Sequence, residues 1–499
     1  MLLRNRSEHV RCDHAPVRRL PPHKRRLGER ARGPRNAVAV LLAVLASLVW
    51  LEVPVAALTT TVGPADRPAS TWDLSWLSVR DRRIIDESGR VVLLHGFNTS
   101  TLLEPTVKRS PLDSGDATMM ERDGFDVVRL SVSWGRLEPR RGQWDTGYLD
   151  AIDSTVRLLN SHHIYVVIDM HFLDWSSAFG GSGAPAWAAV PLVPDLHIPG
   201  IGDWQRHLSP AINAANTYFW VSPDWQSDFL QAWRLLAQHF RDDSGVAGYD
   251  LYNEPHALPL PPIRFEKSFM WPLYARTIDA IGTVDPNHLF IVEGELFGDY
   301  GTTVVPLKAP DLVYSPHEYT GSLIPPTFDG DPQPLDDDVS KGAGEAARVP
   351  AALWIGEWGM PATQSKATAW IDDALNAYDA AGAGWAWWQW REDSPWGIRD
   401  SAGHTDTAVL AHLARPYLAA SPPGVRSGAA DGVRGALTVS VDAAYSGGQI
   451  DIAWPLLATA APVVTGNCVA TAAWDATRAR LTVTITGSVP CTMRLVASA

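Results

Sequence analysis

Eight short apolar segments, separated by stretches with helical periodicity, constrain the fold of this chain more than any other feature. Most are continuous apolar runs, as expected for parallel strands that are buried on both faces. The segments are 91–98, 125–132, 164–171, 249–254, 289–293, 312–319, 351–357 and 384–390. Between them, apolar residues share one helical face in two stretches: Leu149, Ile152, Val156 and Leu159, then Phe229, Trp233, Leu236 and Phe240. Eight strand–helix units in about 345 residues predict a (β/α)8 TIM barrel over residues 72–418.

Polar side chains stand at or near the carboxyl ends of six of these predicted strands. They are Asn98, Arg129, His171, Glu254, His317 and Glu357. The carboxyl ends of the strands form the active face of a TIM barrel. An uncompensated polar side chain inside an apolar strand would be costly to bury. The shared position therefore predicts that these six side chains point into one wet cleft on that face.

Two of the six are glutamates in distinctive motifs. Glu254 lies in Asn253-Glu254-Pro255, and Glu357 lies in Trp354-Ile355-Gly356-Glu357-Trp358-Gly359. Retaining glycoside hydrolysis needs two carboxyl groups about 5 Å apart, of which one protonates the leaving oxygen and the other attacks the sugar carbon. The residues therefore predict Glu254 as the acid/base and Glu357 as the nucleophile, in a reaction that needs no metal and no organic cofactor.

Several neighbours could support this pair of glutamates. Arg129 is a lone cation that ends a predicted buried strand, so it is the expected partner that keeps Glu357 ionised. Tyr319 can donate a hydrogen bond to Glu357. Asn253 can bind the sugar 2-hydroxyl, a contact that strengthens in the transition state.

His171 and His317 are candidate donors around the same sugar, and Trp388 is the candidate floor under its ring, chosen by strand phase over Trp387 and Trp390. Each residue also has a structural interpretation, since a lone arginine can form a structural ion pair and a lone histidine is more often a satisfied core residue. Their common position at the strand ends favours the functional interpretation.

Two long insertions on the active face are strongly apolar. Residues 176–224 follow the third predicted strand and residues 256–274 follow the fourth. Apolar loops of this kind either pack on each other or line a hydrophobic groove. The second alternative would allow these loops to contact a lipid or a membrane surface.

The pattern of the chain changes after Arg415-Pro416-Tyr417. Residues 419–432 are rich in Ala, Ser, Pro and Gly and are predicted to be a linker. Alternating apolar residues then predict a small antiparallel β-sandwich over residues 433–499. This domain could bind carbohydrate or membrane, or it could pack on the barrel as a structural domain. Cys468 and Cys491 both lie in it, either as a disulfide or as two unpaired buried thiols.

The first 58 residues have the composition of a targeting segment. Residues 1–36 contain eleven Lys/Arg and three acids, and residues 37–51 are uncharged and apolar. A small-residue site near Ala57 completes the pattern of an export signal, but an uncleaved membrane anchor or a misassigned start codon remains open. Residues 59–71 are predicted to be a linker. Export predicts that the protein is secreted or anchored at the outer face of the cell membrane, where a Cys468–Cys491 disulfide would be stable.

The whole chain of 499 residues has a formal net charge of −13 despite the basic arm. The body beyond that arm is therefore strongly acidic, which disfavours nucleic-acid binding. The length allows one large enzyme domain and a smaller one. Nothing in the sequence indicates an oligomeric state.

The motifs together resemble those of clan A glycoside hydrolases, family five in particular, and within it the endoglycoceramidase branch. The resemblance covers roughly residues 75–499. Besides the two glutamate motifs, it rests on Tyr249-Asp250-Leu251-Tyr252, Asp169-Met170-His171, Gly181-Ser182-Gly183-Ala184-Pro185-Ala186-Trp187, Val284-Asp285-Pro286-Asn287 and Tyr314-Ser315-Pro316-His317. The resemblance implies a retaining glycosidase that acts on glycolipids, with a β-domain after the barrel. It also implies the same roles for Glu254 and Glu357, and a supporting shell of Arg129, His171, Asn253, His317, Tyr319, Trp388 and, more weakly, Asn98.

One position departs from this branch. The branch usually follows its third-strand histidine with Gln-Asp, which contacts the first sugar, whereas this chain has His171-Phe172-Leu173-Asp174. Either Asp174 replaces that aspartate from one position later, or the sugar site differs.

Two other functions compete with glycolipid hydrolysis. The same chemistry could act on a soluble β-glucan or mannan, although such clefts are usually open and lined with spaced aromatic residues. Alternatively, the barrel could be a non-catalytic carbohydrate- or lipid-binding protein. The presence of both glutamates favours an enzyme.

Overall fold

The computed structural model describes residues 67–104, 111–189, 193, 195, 209–296, 306–324, 327–428, 430, 435–455 and 461–498. The predicted signal or anchor segment and most of the predicted linker 59–71 lie outside these ranges. Within them, no helix is both long enough and apolar enough to cross a membrane.

The strands in the described ranges belong to a barrel and to a sandwich. In chain order they are β1 (Ser78–Arg80), β2 (Arg83–Ile85), β3 (Val91–Val92), β4 (His95–Thr99), β5 (Val127–Val132), β6 (Tyr165–Met170), β7 (Val246–Asp250), β8 (Leu289–Val292), β9 (Leu312–Tyr314), β10 (His317–Glu318), β11 (Ala352–Trp358), β12 (Gly384–Trp387), β13 (Tyr417–Ser421), β14 (Val425–Ser427), β15 (Ala436–Val441), β16 (Gln449–Ala453), β17 (Val463–Gly466), β18 (Ala470–Asp475), β19 (Arg480–Ile485) and β20 (Cys491–Val496).

The α-helices in the same ranges alternate with the barrel strands. They are α1 (Ser114–Arg122), α2 (Trp134–Leu137), α3 (Thr146–Asn160), α4 (Pro210–Val221), α5 (Pro223–Phe240), α6 (Pro262–Phe265), α7 (Trp271–Gly282), α8 (Gln333–Arg348), α9 (Ala367–Ala381) and α10 (Thr407–Leu413). Short 3-10 turns span Ser177–Phe179 and Ala186–Ala188, and a π-helical turn, Glu266–Met270, joins α6 to α7.

The strands β4 to β12 form a closed parallel barrel, which confirms the predicted fold class. They follow the order β10-β11-β12-β4-β5-β6-β7-β8-β9, and β9 also pairs with β11, so that the sheet closes on itself. The sixth predicted strand, 312–319, is broken into β9 and β10 at Ser315-Pro316. Proline interrupts the ladder because it has no N–H to donate.

Two of the predicted barrel strands are shifted. The first predicted segment, 91–98, divides into β3, which pairs outside the barrel, and β4, which pairs inside it. The bounds of the fourth predicted strand, 249–254, are wrong at both ends, because β7 begins at Val246 and ends at Asp250. Glu254 therefore lies in the loop beyond the strand.

The interior of the barrel has an apolar layer below a polar layer. Successive side chains of a strand point to opposite faces, so residues two apart share a face. Val127 of β5 and Val167 of β6 belong to the apolar core. Two positions further along each strand, Arg129 and Asp169 lie 3.1 Å apart and fully buried. The change from apolar to polar side chains marks the start of the site.

The two predicted amphipathic helices are present. Helix α3 begins after Asp145, whose side chain accepts a hydrogen bond from the backbone of Tyr148, and α5 begins after Ser222, which caps it in the same way. Such side-chain caps satisfy backbone N–H groups that the first helical turn leaves unpaired. The predicted apolar face of α5 is buried against the barrel.

The described parts of the two insertions pack on each other. Phe219 and Trp220 of α4 contact Tyr252, and Trp220 also packs edge-on against Phe265 of α6. Phe219, Trp220 and Phe265 are each at most 2% exposed. These segments therefore form a second core over the barrel, as in the self-packing alternative. Residues 190–192, 194 and 196–208 of the first insertion lie outside the described ranges.

The C-terminal strands form the predicted β-sandwich. One sheet has the order β1-β2-β3-β13-β16-β19-β18 and the other the order β14-β15-β20-β17. Val439 and Leu495 of the smaller sheet share one buried cluster with Ile452 and Val483 of the larger. A disulfide joins Cys468 to Cys491, with their Cα atoms 5.0 Å apart, which confirms the predicted pairing.

The boundaries of this sandwich differ from the predicted ones. The predicted linker 419–432 is wrong in its first part, because β13 and β14 lie there. The strand β13 is buried along its whole length, so its small residues allow close packing instead of flexibility. The strands β1 to β3, which precede the barrel in the chain, also belong to the larger sheet.

Candidate active site

Arg129 lies at the centre of the site and is fully buried in β5. Its guanidinium donates hydrogen bonds to side-chain oxygens of five residues and lies 3.1 Å from Asp169 Oδ1. The five acceptors are Asp250 at 2.8 Å, Asn98 at 3.1 Å, Glu357 at 3.1 Å, Asn253 at 3.0 Å and Glu293 at 2.9 Å. A planar guanidinium suits this role because its five N–H donors are held in a fixed geometry.

Strand register brings these groups to one level of the barrel. Asn98 of β4 is directly beside Arg129 of β5, and Asp169 of β6 is directly beside Asp250 of β7. Burial tends to lower the pKa of Arg129, but the surrounding carboxylates, Asp169 first, raise it well above its usual value. The arginine is therefore a permanent positive charge under the site.

The pKa values of the two aspartates are shifted in opposite directions. Burial tends to raise the pKa of Asp169, but Arg129 and then His171 lower it below its usual value. Burial raises the pKa of Asp250 well above its usual value, although Arg129 acts in the opposite direction, and Glu293 and Asp169 add to the effect of burial. Asp250 is therefore the carboxyl group of this pair that more readily keeps a proton.

Glu357 lies near the end of β11 and is 6% exposed. Its Oε2 accepts a hydrogen bond from Arg129, and its Oε1 accepts one from the Tyr319 hydroxyl at 2.8 Å. Burial raises the pKa of Glu357 above its usual value, while the positive charge of His317 acts in the opposite direction. Hydrogen-bond donors thus hold both oxygens of Glu357 in place. A carboxylate that attacks a substrate from one direction needs such a fixed orientation.

Glu254 lies four residues beyond the end of β7 and is held by different groups. Its backbone has φ of 49°, a left-handed conformation that is uncommon for residues other than glycine. Its Oε1 is 3.0 Å from Nδ1 of His317, and its side chain is 27% exposed. One oxygen of Glu254, one of Glu357 and one ring nitrogen of His317 all lie within 4.8 Å of one another.

His317 lies between the two glutamates. Burial tends to lower the pKa of its ring, but Glu293 and then Glu357 raise it well above its usual value. The surrounding carboxylates therefore favour the protonated form of the ring. Its Nδ1 lies 3.0 Å from Glu254 and its Nε2 lies 3.3 Å from Glu293, so the ring stands between two carboxyl groups.

Asn98 and Asn253 lie beneath the carboxylates. The Asn98 amide donates to the carbonyl oxygens of Gly356 and Ala386, and Asn98 is fully buried. It supports the strand that carries Glu357 and does not face the cleft. Asn253 is 2% exposed, accepts from Arg129 and donates to the carbonyl of Phe172.

His171 and Trp388 form one wall of the cleft. Nδ1 of His171 is 2.8 Å from Asp169 Oδ2, and its ring stacks on that of Trp388 with centroids 5.4 Å apart. Trp388 is partly exposed, whereas Trp387 and Trp390 are buried. Trp388, the tryptophan chosen by strand phase, is thus the partly exposed one of the three. Asp174 lies in the loop after β6 with φ of 51°, beside a short bridge between Leu173 and Ser182.

Three acidic residues of this site were not predicted from the sequence: Asp169, Asp250 and Glu293. Each lies at or just past the carboxyl end of a barrel strand, which is the same signal that identified Glu254 and Glu357. The two aspartates were noted only as parts of motifs, and Glu293 only as the last residue of a predicted strand. A rule that every acid at a predicted strand end is a candidate would have found Asp169 and Glu293, whereas Asp250 is the second residue of the strand predicted at 249–254 and ends its strand only in the structure.

A closed (β/α)8 barrel with paired glutamates at its active face is the architecture of clan A glycoside hydrolases. The chain belongs to glycosyl hydrolase family 5, since the family model described as "Cellulase (glycosyl hydrolase family 5)" matches residues 85–394. This match confirms the resemblance to family five that the sequence motifs indicated.

Known relatives point to one branch of that family. Endoglycoceramidase I of Rhodococcus hoagii (strain 103S) is 29% identical over 263 residues, which are 49% of this chain and 53% of the relative. An endoglycoceramidase of Cyanea nozakii is 26% identical over 283 residues, 50% of this chain and 56% of the relative. The chain thus spans about half of the length of the curated relatives that it matches.

A solved structure extends the likeness over a greater length. Endo-glycoceramidase II from Rhodococcus sp., in a five-membered iminocyclitol complex, superposes with a TM-score of 0.73 at 26% identity. The match covers 83% of this chain and 99% of that one. The barrel and the C-terminal sandwich are therefore similar to a solved endo-glycoceramidase as a unit.

Proposed function

We propose that this protein is a retaining β-glycosidase that separates a glycan from a lipid aglycone. The observation that carries the proposal is the approach of Glu254 and Glu357, since one carboxylate oxygen of each lies within 4.8 Å of the other. Retaining enzymes hold their carboxyl groups about 5–5.5 Å apart, whereas inverting enzymes leave about 6.5–9.5 Å for a water molecule. The spacing therefore favours direct attack by a carboxylate.

In the first step, Glu357 attacks the anomeric carbon and forms an ester bond to the sugar. The bond from that carbon to the aglycone oxygen breaks, and Glu254 gives its proton to this oxygen. Tyr319 and Arg129 each bind one oxygen of Glu357, so the attacking lone pair is directed at the sugar. The positive charge of Arg129 favours the ionised nucleophile.

In the second step, Glu254 is a carboxylate and takes a proton from water. The oxygen of that water attacks the anomeric carbon, and the ester bond to Glu357 breaks. Two inversions restore the original configuration. His317 donates a hydrogen bond to Glu254, which stabilises the carboxylate form that this step needs. In this proposal, Trp388 is the aromatic floor under the sugar ring, and Asn253 binds the sugar 2-hydroxyl with the second N–H of its amide.

A lipid aglycone is supported by the space beyond Glu254. A cavity of about 540 Å³ extends from Glu254 and His317 and includes the apolar side chains of Leu296 and Ile324. Its wall also includes carboxylates, such as Glu266 and Glu295. A neutral aglycone such as ceramide fits this wall better than an anionic one, because like charges in a cleft of low dielectric repel strongly.

Exposed apolar side chains lie on the same face of the barrel as this cavity. Ile263, Leu296, Leu323 and Ile324 are 52%, 36%, 62% and 51% exposed, and all follow carboxyl ends of barrel strands. Large apolar side chains grouped on one face of a protein mark surfaces that contact other molecules. We propose that these four side chains contact the lipid surface that presents the substrate.

Export of the protein is part of the same proposal. The Cys468–Cys491 disulfide is typical of an oxidising compartment. The basic and apolar leader of residues 1–58 supports secretion or anchoring at the outer face of the cell membrane. A glycolipid substrate in that membrane would then be within reach of the active face.

The test is hydrolysis of glucosyl- and lactosyl-ceramide by the full chain, beside soluble β-glucan and mannan. Glu357→Gln should abolish turnover of every substrate. Glu254→Gln should lose activity on the glycolipids but keep the first step on an activated aryl glycoside, because a good leaving group needs little acid help. Release of intact ceramide supports the proposal. Cleavage of the soluble polymers alone would assign the enzyme to a glucanase or mannanase function.

A further inference from the structure

Glu293 is a buried carboxylate that the proposed mechanism does not use. It lies just past the end of β8 and is 3% exposed. Its Oε2 accepts a hydrogen bond from the backbone N–H of Glu254 at 2.7 Å. Its Oε1 accepts from Arg129 at 2.9 Å and lies 3.3 Å from Nε2 of His317. One side chain therefore contacts the main chain of one proposed catalytic residue and two of its neighbours.

The contact with the Glu254 backbone matters because that backbone is strained. A left-handed φ is unfavourable for a residue with a Cβ atom, because the Cβ crowds the following carbonyl oxygen. Such conformations persist only where surrounding groups hold them, and they are concentrated at functional sites. A carboxylate that accepts from a backbone N–H makes a strong, charge-assisted hydrogen bond. Glu293 is thus the group that can hold Glu254 in the conformation that points its side chain at Glu357.

The contact with His317 matters because that ring carries a charge. Among the neighbouring groups, Glu293 is the largest influence that raises the pKa of His317 against the effect of burial. The opposite ring nitrogen, Nδ1, is 3.0 Å from Glu254 and 3.8 Å from Glu357. Loss of the Glu293 charge would make the ring neutral at a lower pH and leave Glu254 and Glu357 without a cation between them.

We propose that Glu293 is a positioning residue for the acid/base glutamate, because it fixes the main chain of Glu254 and orients the His317 ring against it. This inference rests on the proposed retaining mechanism and adds to it a residue that acts through Glu254 and His317. It explains why a buried acid stands at the end of this barrel strand, where burial of a charge is costly unless it is paired.

The test compares Glu293→Gln with the wild-type protein on a glycolipid and on a dinitrophenyl glycoside. Protonation of the leaving group matters only for the glycolipid, so a displaced Glu254 should cost about 100-fold in kcat/KM there and only a few-fold on the activated substrate. The alkaline limb of the kcat/KM profile on the glycolipid reports deprotonation of Glu254, and it should move to higher pH by about one unit, because a His317 ring that loses its proton earlier no longer stabilises the Glu254 carboxylate. Glu293→Asp keeps the negative charge, so its alkaline limb should lie at the wild-type pH. Its kcat/KM on the glycolipid should remain below that of the wild-type protein.

Glu121→Gln is the matched control. Glu121 is a buried carboxylate on α1 that accepts from His162 and His163, outside the site. Its variant should lose stability and keep both the pH profile and the ratio between the two substrates. If Glu293→Gln behaved in the same way while the wild-type protein cleaved glycolipid, the positioning role would be refuted and the proposed function would stand. If the wild-type protein cleaved neither substrate, the proposed function itself would fail.

Discussion

The replacement Arg129→Lys tests whether one buried guanidinium holds the site together. Arginine has five N–H donors and makes five hydrogen bonds in this site, to Asn98, Asp250, Asn253, Glu293 and Glu357. Lysine has three donors, so at least two bonds are lost. At about 1.5–3 kcal/mol for each bond to a charged group, the loss is about 3–6 kcal/mol. Removal of one partner from a buried ion pair costs about 3–5 kcal/mol, which agrees with this range.

Thermal unfolding and a pH–rate profile measure the two expected effects. The described ranges contain about 390 residues, which correspond to an unfolding entropy near 0.8 kcal/mol/K, so Tm should fall by about 4–7 °C. The pKa of Glu357 is already raised by burial and should rise further when the guanidinium is lost. Because the nucleophile must be ionised, the acidic limb of kcat/KM on an activated aryl glycoside should move to higher pH.

Arg415→Lys provides the control for a buried arginine outside the site. Arg415 is 4% exposed and donates to the Leu375 carbonyl and to Asp379, two acceptors that a lysine can still serve. Its Tm should fall by less than that of Arg129→Lys, and its pH profile should not move. An unchanged Tm and an unchanged acidic limb in Arg129→Lys would refute the charge-network argument.

Three further predictions concern other parts of the molecule. Cys468→Ser should lower stability by about 3 kcal/mol, because the disulfide closes a loop with a sequence separation of 23, and reductant should lower the Tm of the wild-type protein similarly. Burial raises the pKa of Glu318 to about 8, so the stability that its bound proton provides is lost as pH rises through that value. Glu318→Gln should therefore gain Tm relative to the wild type between pH 5 and pH 9, and a constant difference would contradict this. Trp388→Ala should lower kcat/KM about tenfold and Trp388→Phe much less, if an aromatic floor binds the sugar.

The barrel could be predicted because its strands are continuous apolar runs, and this signal is local. The predicted ends of the strands were less accurate, because pairing with neighbouring strands determines where a strand stops. The ladder stops at Asp250 although the apolar run continues through Leu251 and Tyr252. The predicted linker failed for a related reason, since its alanines are small enough to pack closely in β13. Composition alone does not distinguish a flexible segment from a tightly packed one.

The site was predicted in part. The two glutamates were identified because they interrupt apolar strands in distinctive motifs. Asp250 and Glu293 were missed because their burial is tolerated only through Arg129, and that pairing joins residues more than a hundred positions apart. Asn98 was expected near the substrate but braces the backbone of β11 and β12, which no local pattern reveals.

The larger sheet of the sandwich draws strands from both ends of the described chain, and this affects how the protein can be made. Val92 of β3 pairs with Ala420 of β13, and Arg90 forms an ion pair with Asp451, 361 residues later. During synthesis, β3 cannot pair with β13 until the whole barrel has been synthesised, because β13 follows the barrel in the chain. Such distant contacts slow folding and leave a strand edge open to aggregation. The C-terminal region is therefore not a detachable module, and a truncation after the barrel should yield an insoluble protein.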